Sequence, residues 1–230
     1  MASTICISLG GSGVISNSGI NARNVKKFVK ELSRQKAKKF VVVVGGGRMA
    51  RLYINAAAKM IHDRNALDEI GIQVTRANAS MIKGVAQSSF KVYPGIPTTL
   101  WELKSAHRSS RVVFMGGLRP GITTDAVTAL ACNAVHCELI INLSSQPYVY
   151  DRPPLLSGAK RLPCIDHRTL LALAQKYDKG KPGTHFIFDV TASRIVMKSK
   201  VEVRFVGYKM NDFAKAVEGK KYGGTIVKSG

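Results

Sequence analysis

Acid is scarce in this chain. Fourteen Asp and Glu stand against 35 Lys and Arg in 230 residues, a formal net charge of +21. Tryptophan occurs once and cysteine four times, at Cys6, Cys132, Cys137 and Cys164, with no C-x-x-C spacing. No apolar run reaches the roughly 18 residues that a membrane-spanning helix needs, and no secretory leader pattern opens the chain. The five histidines are scattered, so zinc-finger and H-E-x-x-H metal sites are excluded, and each is expected on the surface or in a loop. Cys6 lies in a strand-like run and Cys132 in a helical one. Both are expected as small core residues in a reducing cytoplasm.

The surplus of cations admits two readings, a nucleic-acid surface or a solvated basic face that helps attract small anions. The densest group, Lys26, Lys27, Lys30, Arg34, Lys36, Lys38 and Lys39, sits on and just after a predicted helix. No helix-turn-helix, zinc finger or aromatic RNA-binding motif accompanies it. A solvated face is the reading adopted, with neither nucleic acid nor a membrane expected as partner. Hydrophobic residues make up 45% of the chain, enough for a sizeable core without metal or disulfide staples.

Strands and helices alternate. Ile5–Leu9, Phe40–Val44, Val112–Met115 and Leu139–Leu143 are continuous apolar runs, as in the buried strands of a parallel sheet. Helices are predicted over Asn21–Gln35, from Met49 to Met60, from about Ala66 to Ser88 and over Thr124–Ala134. Beyond Tyr148 the chain becomes irregular around Pro147, Pro153, Pro154 and Pro163. A helix capped by Asp166 runs to about Tyr177, and Lys179–Gly183 is a loop. A helix near Thr191–Lys198, a strand Glu202–Val206, a helix Asn211–Glu218 and a strand near Thr225–Val227 follow. The pattern predicts an α/β fold with a mostly parallel sheet and helices on both faces.

Three of the apolar runs end in paired glycines. They lead into Gly10-Gly11-Ser12, into Gly45-Gly46-Gly47-Arg48-Met49-Ala50-Arg51, and into Gly116-Gly117-Leu118-Arg119-Pro120-Gly121-Ile122-Thr123-Thr124-Asp125. Such turns let a ligand touch bare backbone at the positive end of a helix, the setting in which phosphates bind. Gly45–Ala50 satisfies G-x-G-x-x-A, but no acid follows at the end of the next strand as a dinucleotide fold requires, and Arg48 and Arg51 suit phosphate better. No Walker loop is present. Thr123, Thr124 and Arg119 offer hydroxyls and a guanidinium to an anion. Asp125 reads as a first-turn acid that favours the helix dipole.

The segments S-L-G-G-S, V-V-G-G-G-R-M-A-R, G-I-Q-V-T-R-A-N-A and M-G-G-L-R-P-G-I-T-T-D-A-V resemble the archaeal-type uridylate kinases of the amino acid kinase superfamily. The resemblance is tight from Ile5 to Leu143 and looser beyond. It implies a three-layer α/β/α sandwich and transfer of the ATP γ-phosphoryl group to UMP, with magnesium, in a homohexamer. It implies a single domain over residues 1–230, with 1–143 mainly the UMP half and 144–230 mainly the ATP half. By position, Ser8, Leu9, Gly10, Gly11 and Ser12 would meet the ATP phosphates, together with Gly47 and Arg51. Gly46, Asp68, Leu118, Arg119, Pro120, Gly121, Ile122, Thr123 and Thr124 would hold UMP. Arg51 and Arg194 would act on the transferring group. The family's T-N-V-D-G-V-Y is Ser144-Ser145-Gln146-Pro147-Tyr148-Val149-Tyr150 here, and its later D-P is Arg152-Pro153. Ser144, Ser145, Tyr150 and Pro153 would thus form the adenosine side. Arg194 stands where the family has lysine. Two alternatives stay open: a related kinase with another acceptor, and a nucleotide-binding protein without turnover.

Overall fold

The computed structural model describes residues 3–16, 19–178 and 187–230, so the expected Lys179–Gly183 loop lies outside the described residues. In chain order, β1 (Thr4–Leu9) leads into a single helical turn, α1 (Gly11–Val14), and a small hairpin, β2 (Ile15–Ser16) with β3 (Gly19–Ile20). Then come α2 (Ala22–Arg34), β4 (Lys39–Val44), α3 (Gly47–Ala57), α4 (Arg64–Gln87), α5 (Leu100–Ser109), β5 (Val112–Met115), α6 (Thr124–Val135) and β6 (Leu139–Leu143). The rest is β7 (Val149–Tyr150), β8 (Arg161–Leu162), β9 (Cys164–Asp166), α7 (His167–Tyr177), α8 (Val190–Ser199), β10 (Glu202–Val206), α9 (Met210–Val217) and β11 (Gly224–Lys228).

The main sheet has the order β5-β4-β1-β6-β10-β11-β9. Every neighbouring pair is parallel except β10–β11. Successive residues of a strand face opposite sides. Ile5, Ile7, Leu9, Val42 and Val44 therefore join one apolar layer, with α2, α4 and α9, while Cys6, Val41 and Val43 join the other, with α5, α6 and α8. This is a three-layer α/β/α sandwich. Its strands are apolar throughout because both faces are covered.

Local chemistry sets the helix ends. Asn21 caps α2 by accepting from the Asn24 amide at 3.1 Å, and the helix buries Val25, Phe28, Val29 and Leu32. Asp63 caps α4, so the helical pattern from Met49 onward is two helices joined at a turn. Helix α5 was not expected, since only Leu103 and Ala106 of its ten residues are buried. Its local signal was Thr99 capping the Glu102 amide at 3.1 Å while Glu102 reaches back to the Thr98 amide at 2.7 Å, a variant of the capping box.

Two expectations are corrected. Cys132 is buried, but it is bonded to Cys137 rather than being a free core thiol. The reason is the end of α6: His136 takes a left-handed conformation, φ 52°, which turns the chain back and brings Cys137 over the last turn. Cys6 stays a buried free thiol. His167 is buried, not on the surface, with its Nε2 2.8 Å from the Val201 carbonyl.

Candidate functional site

The three glycine turns follow β1, β4 and β5, adjacent strands of one parallel sheet. They therefore meet at its carboxyl edge, where open α/β sheets bind ligands. The first two touch backbone to backbone. A Cβ on Gly11 would lie 2.1 Å from the Gly47 nitrogen, and one on Gly47 would lie 2.6 Å from the Gly11 oxygen. Gly47 also has φ +61°. No side chain fits at this junction.

Helix α4 fixes the second and third turns. Asn78 donates its side-chain amide to the carbonyls of Gly45 at 3.0 Å and Gly46 at 3.3 Å. The Thr75 hydroxyl accepts from the Gly117 amide at 2.7 Å. The Arg76 guanidinium donates to the carbonyls of Gly117 and Leu118 at 3.2 and 3.3 Å. The T-R-A-N segment is thus a set of struts between two loops. Near the start of the same helix, Asp68 Oδ2 accepts from the Gly121 amide at 2.8 Å.

These parts enclose a cavity of about 620 Å3. Of the residues expected at UMP, Gly46, Asp68, Arg119, Gly121, Ile122, Thr123 and Thr124 line it, and so does Gly47. Leu118 and Pro120 belong to the same loop but are not in the lining, and Leu118 packs on the core below. The amino ends of α6 and α8 converge here. Thr123 caps α6, its hydroxyl accepting from the Ala126 amide at 3.1 Å and donating to Asp189. Asp189 in turn caps α8 by accepting from the Ala192 amide at 2.9 Å. Two positive helix ends pointed at one cavity favour an anion.

Beneath the cavity lies a polar cluster that the sequence did not reveal. Asp125 accepts from the Ser8 hydroxyl at 2.6 Å and from the Asn142 amide at 2.8 Å. Burial pushes its pKa up to about 7, the Asp189 charge pushes the same way, and the hydrogen bonds from Ser8 and Asn142 resist. The Asn142 side-chain oxygen is buried with no partner. The Ser8 hydroxyl is committed to this cluster.

Of the residues expected at ATP, Gly47 alone lines the cavity. A Cβ on Gly10 would meet Tyr208 Oη at 3.0 Å and Ser144 Cβ at 3.4 Å, so the first turn adjoins the ends of β6 and β10. Tyr208, which no sequence pattern marked, donates to the Gly10 carbonyl at 2.8 Å and lies 3.3 Å from the Ser12 hydroxyl. Leu9 is buried in the core. Ser144 spends its hydroxyl on its own turn, bonding the Gln146 backbone on both sides. Ser145 is exposed, Tyr150 is half-buried in β7, and Pro153 accepts the Leu156 amide at 2.9 Å. Arg51 and Arg194 are exposed on α3 and α8 and make no hydrogen bond or ion pair among the described residues.

Fold and site together define a three-layer α/β/α protein with a cavity at the carboxyl edge of its sheet, lined by two glycine turns and the amino ends of two helices. The model of the amino acid kinase family matches residues 3–207, and the chain belongs to that family. Among its relatives, the uridylate kinase of Thermoplasma acidophilum is 37% identical over 228 residues, covering 99% of this chain and 97% of the relative. The uridylate kinase of Archaeoglobus fulgidus is 31% identical over 224 residues. A crystal structure of uridylate kinase from that organism superposes with a TM-score of 0.84, covering 97% of this chain and 99% of the other. UMP kinase from Ureaplasma parvum superposes with a TM-score of 0.82 over the whole of both chains at 19% identity, a likeness of fold.

Proposed function

We propose that this protein is a UMP kinase, transferring the γ-phosphoryl group of ATP to UMP to give UDP and ADP. The observation that carries the reading is the cavity shared by the second and third glycine turns, lined by Asp68 and roofed by two helix ends. A nucleoside monophosphate needs a carboxylate for its ribose hydroxyls and amides for its phosphate; Asp68, held by the Gly121 amide, offers the first and the Ile122–Thr124 backbone the second. In this reading Gly46, Asp68 and Leu118–Thr124 hold UMP. Ser8–Ser12, Gly47, Ser144, Ser145, Tyr150 and Pro153 form the ATP side, Ser8 through its backbone.

Phosphoryl transfer asks for alignment and charge neutralisation more than for covalent chemistry. The Gly11–Gly47 contact sets the donor and acceptor turns side by side. The UMP phosphate is already ionised, so no general base is required. Arg51, on α3 just after the second turn, and Arg194, on α8, have exposed guanidiniums that would swing in to take up charge on the transferring group.

Magnesium belongs to the proposal. Asp189, which lines the cavity, is a hard oxygen donor that suits it. It already accepts hydrogen bonds from Thr123 and the Ala192 amide, which orient it, and it would be the residue that holds the ion. When bound, the ion neutralises the β- and γ-phosphates.

We also propose a homo-oligomer, a hexamer by resemblance, working in the cytoplasm. Helix α3 exposes Leu52 and Tyr53, and Met60 just beyond it is 77% exposed, an apolar stripe suited to a second copy. Light scattering after gel filtration measures the assembly. A coupled ADP-release assay with UMP, CMP and dUMP tests the activity. ADP with UMP is expected, and none with any acceptor would leave a nucleotide-binding protein instead. Full turnover in Arg51→Ala and Gly46→Val would refute the site.

A further inference from the structure

The outer face of α2 carries its cations in a pattern that helix stability does not explain. Arg23, Lys26, Lys27, Lys30 and Arg34 are exposed while the opposite face is buried. Their spacing sets like charges four residues apart at Arg23–Lys27, Lys26–Lys30 and Lys30–Arg34, an arrangement that destabilises a helix. The first turn holds no acid, and Arg23 stands at the positive end of the helix dipole, the unfavourable sign. The helix's one acid, Glu31, is buried and is taken by Arg34 and Gln35, each at 3.2 Å. Lys26, Lys27 and Lys30 make no hydrogen bond or ion pair among the described residues.

Helix α9 lies alongside, with the Phe213 ring 5.7 Å from that of Phe28. Near it Lys209, Lys220 and Lys221 are exposed. The exposed acid there, Glu218, is already matched by Lys220 at 2.7 Å. None of these residues lines the nucleotide cavity. The result is one two-helix face of nearly single sign, whose charge pattern costs folding energy and, Arg34 and Lys220 apart, serves no internal partner.

We infer that the α2–α9 face docks the sugar–phosphate backbone of nucleic acid, through charge and without reading bases. A row of cations about 5–6 Å apart along a rigid helix complements a linear polyanion of regular charge spacing. Binding would relieve the repulsion along α2. A lipid surface fits less well, because neither helix exposes a large apolar side chain, as interfacial helices do. The face also presents no exposed aromatic ring for stacking on bases, so the contact is to phosphates. The inference does not depend on the kinase reading.

The test is fluorescence anisotropy of the full chain with labelled duplex DNA and single-stranded RNA of about 30 nucleotides, titrated across salt. On duplex DNA the log of affinity should fall linearly with log salt with a slope of about −4 to −5, for five phosphates neutralised. The triple variant Lys26→Glu, Lys27→Glu, Lys30→Glu should flatten that slope by about 3 and weaken binding at least about tenfold at about 0.1 M salt. A control with the same change in net charge, Lys59→Glu, Lys91→Glu, Lys104→Glu, should stay within about threefold of the parent. The glutamine triple at 26, 27 and 30 serves if the glutamate triple does not fold, and retained UMP turnover reports folding. Equal loss in both triples would make the charge diffuse and overturn the inference. So would absence of binding at about 0.1 M salt, or retention on phosphatidylserine vesicles that nucleic acid does not compete away.

Discussion

The Ser8 hydroxyl donates to Asp125 Oδ1 at 2.6 Å, across 117 residues of sequence, and so ties the end of β1 to the first turn of α6. With its pKa at about 7, chiefly from burial, folded Asp125 keeps a proton that the unfolded chain releases near pH 4. The proton favours the folded state most below the unfolded value, and that stability is lost as pH rises through 7. Urea unfolding from pH 5 to pH 8 should show the parent losing about 2 kcal/mol more than Asp125→Asn, which cannot titrate. Parallel pH curves for the two proteins would mean that Asp125 is ionised in the fold.

The Gly11–Gly47 junction predicts an unusually sharp contrast among glycines. Ala at position 11 forces the first and second turns apart, and Ala at 47 adds the strain of φ +61°. Each should cost about 3 kcal/mol or more and abolish ADP release with UMP. Gly84, in the last turn of α4 with nothing within 4 Å of its would-be Cβ, should instead gain about 0.5 kcal/mol as Ala. Chemical melts of the three variants make the comparison.

Thr75 and Asn78 act on the acceptor loops without lining up on one functional group. Thr75→Val keeps the shape but leaves the buried Gly117 amide unpaired, and Asn78→Ala frees the Gly45 and Gly46 carbonyls. Each should cost about 1–3 kcal/mol. Because the loops they hold are proposed to bind UMP, KM for UMP should rise more than kcat falls. Gln73→Ala, on the exposed side of the same helix, should change stability by less than about 0.5 kcal/mol. An unchanged KM for UMP in both strut variants would separate α4 from acceptor binding.

The buried strands and the glycine turns after them were legible because both signals are local: an apolar run, then residues that permit a tight turn. The resemblance added the division into donor and acceptor. The struts were not legible as struts, since Asn78 reaches Gly45 and Thr75 reaches Gly117 across 33 and 42 residues. Asp125 in T-T-D-A looks like a dipole-favouring acid at a helix start; only the packing of β1 and β6 beneath α6 turns it inward. Tyr208 follows β10 in a segment without a motif, and its contact with Gly10 spans 198 residues. The strand near Thr225–Val227 was legible and is β11, whereas the three-residue edge strand β9 was hidden, because short edge strands carry little periodicity.

The Cys132–Cys137 bond depended on the left-handed turn at His136, a conformation that spacing alone does not disclose. It closes a loop of sequence separation 5, for which the chain-entropy relation gives about 2 kcal/mol of stability to the oxidised form. Reduction, or Cys137→Ser, should lower the unfolding free energy by about that amount. ADP release should be unchanged, because the bond lies at the carboxyl end of α6 and the cavity at its amino end. Thiol titration provides an internal check. In the native oxidised protein Cys164 is exposed and should react at once, whereas Cys6 is fully buried, its thiol pKa pushed far up, and should react only on unfolding. A second fast-reacting thiol without reductant would show Cys137 to be free.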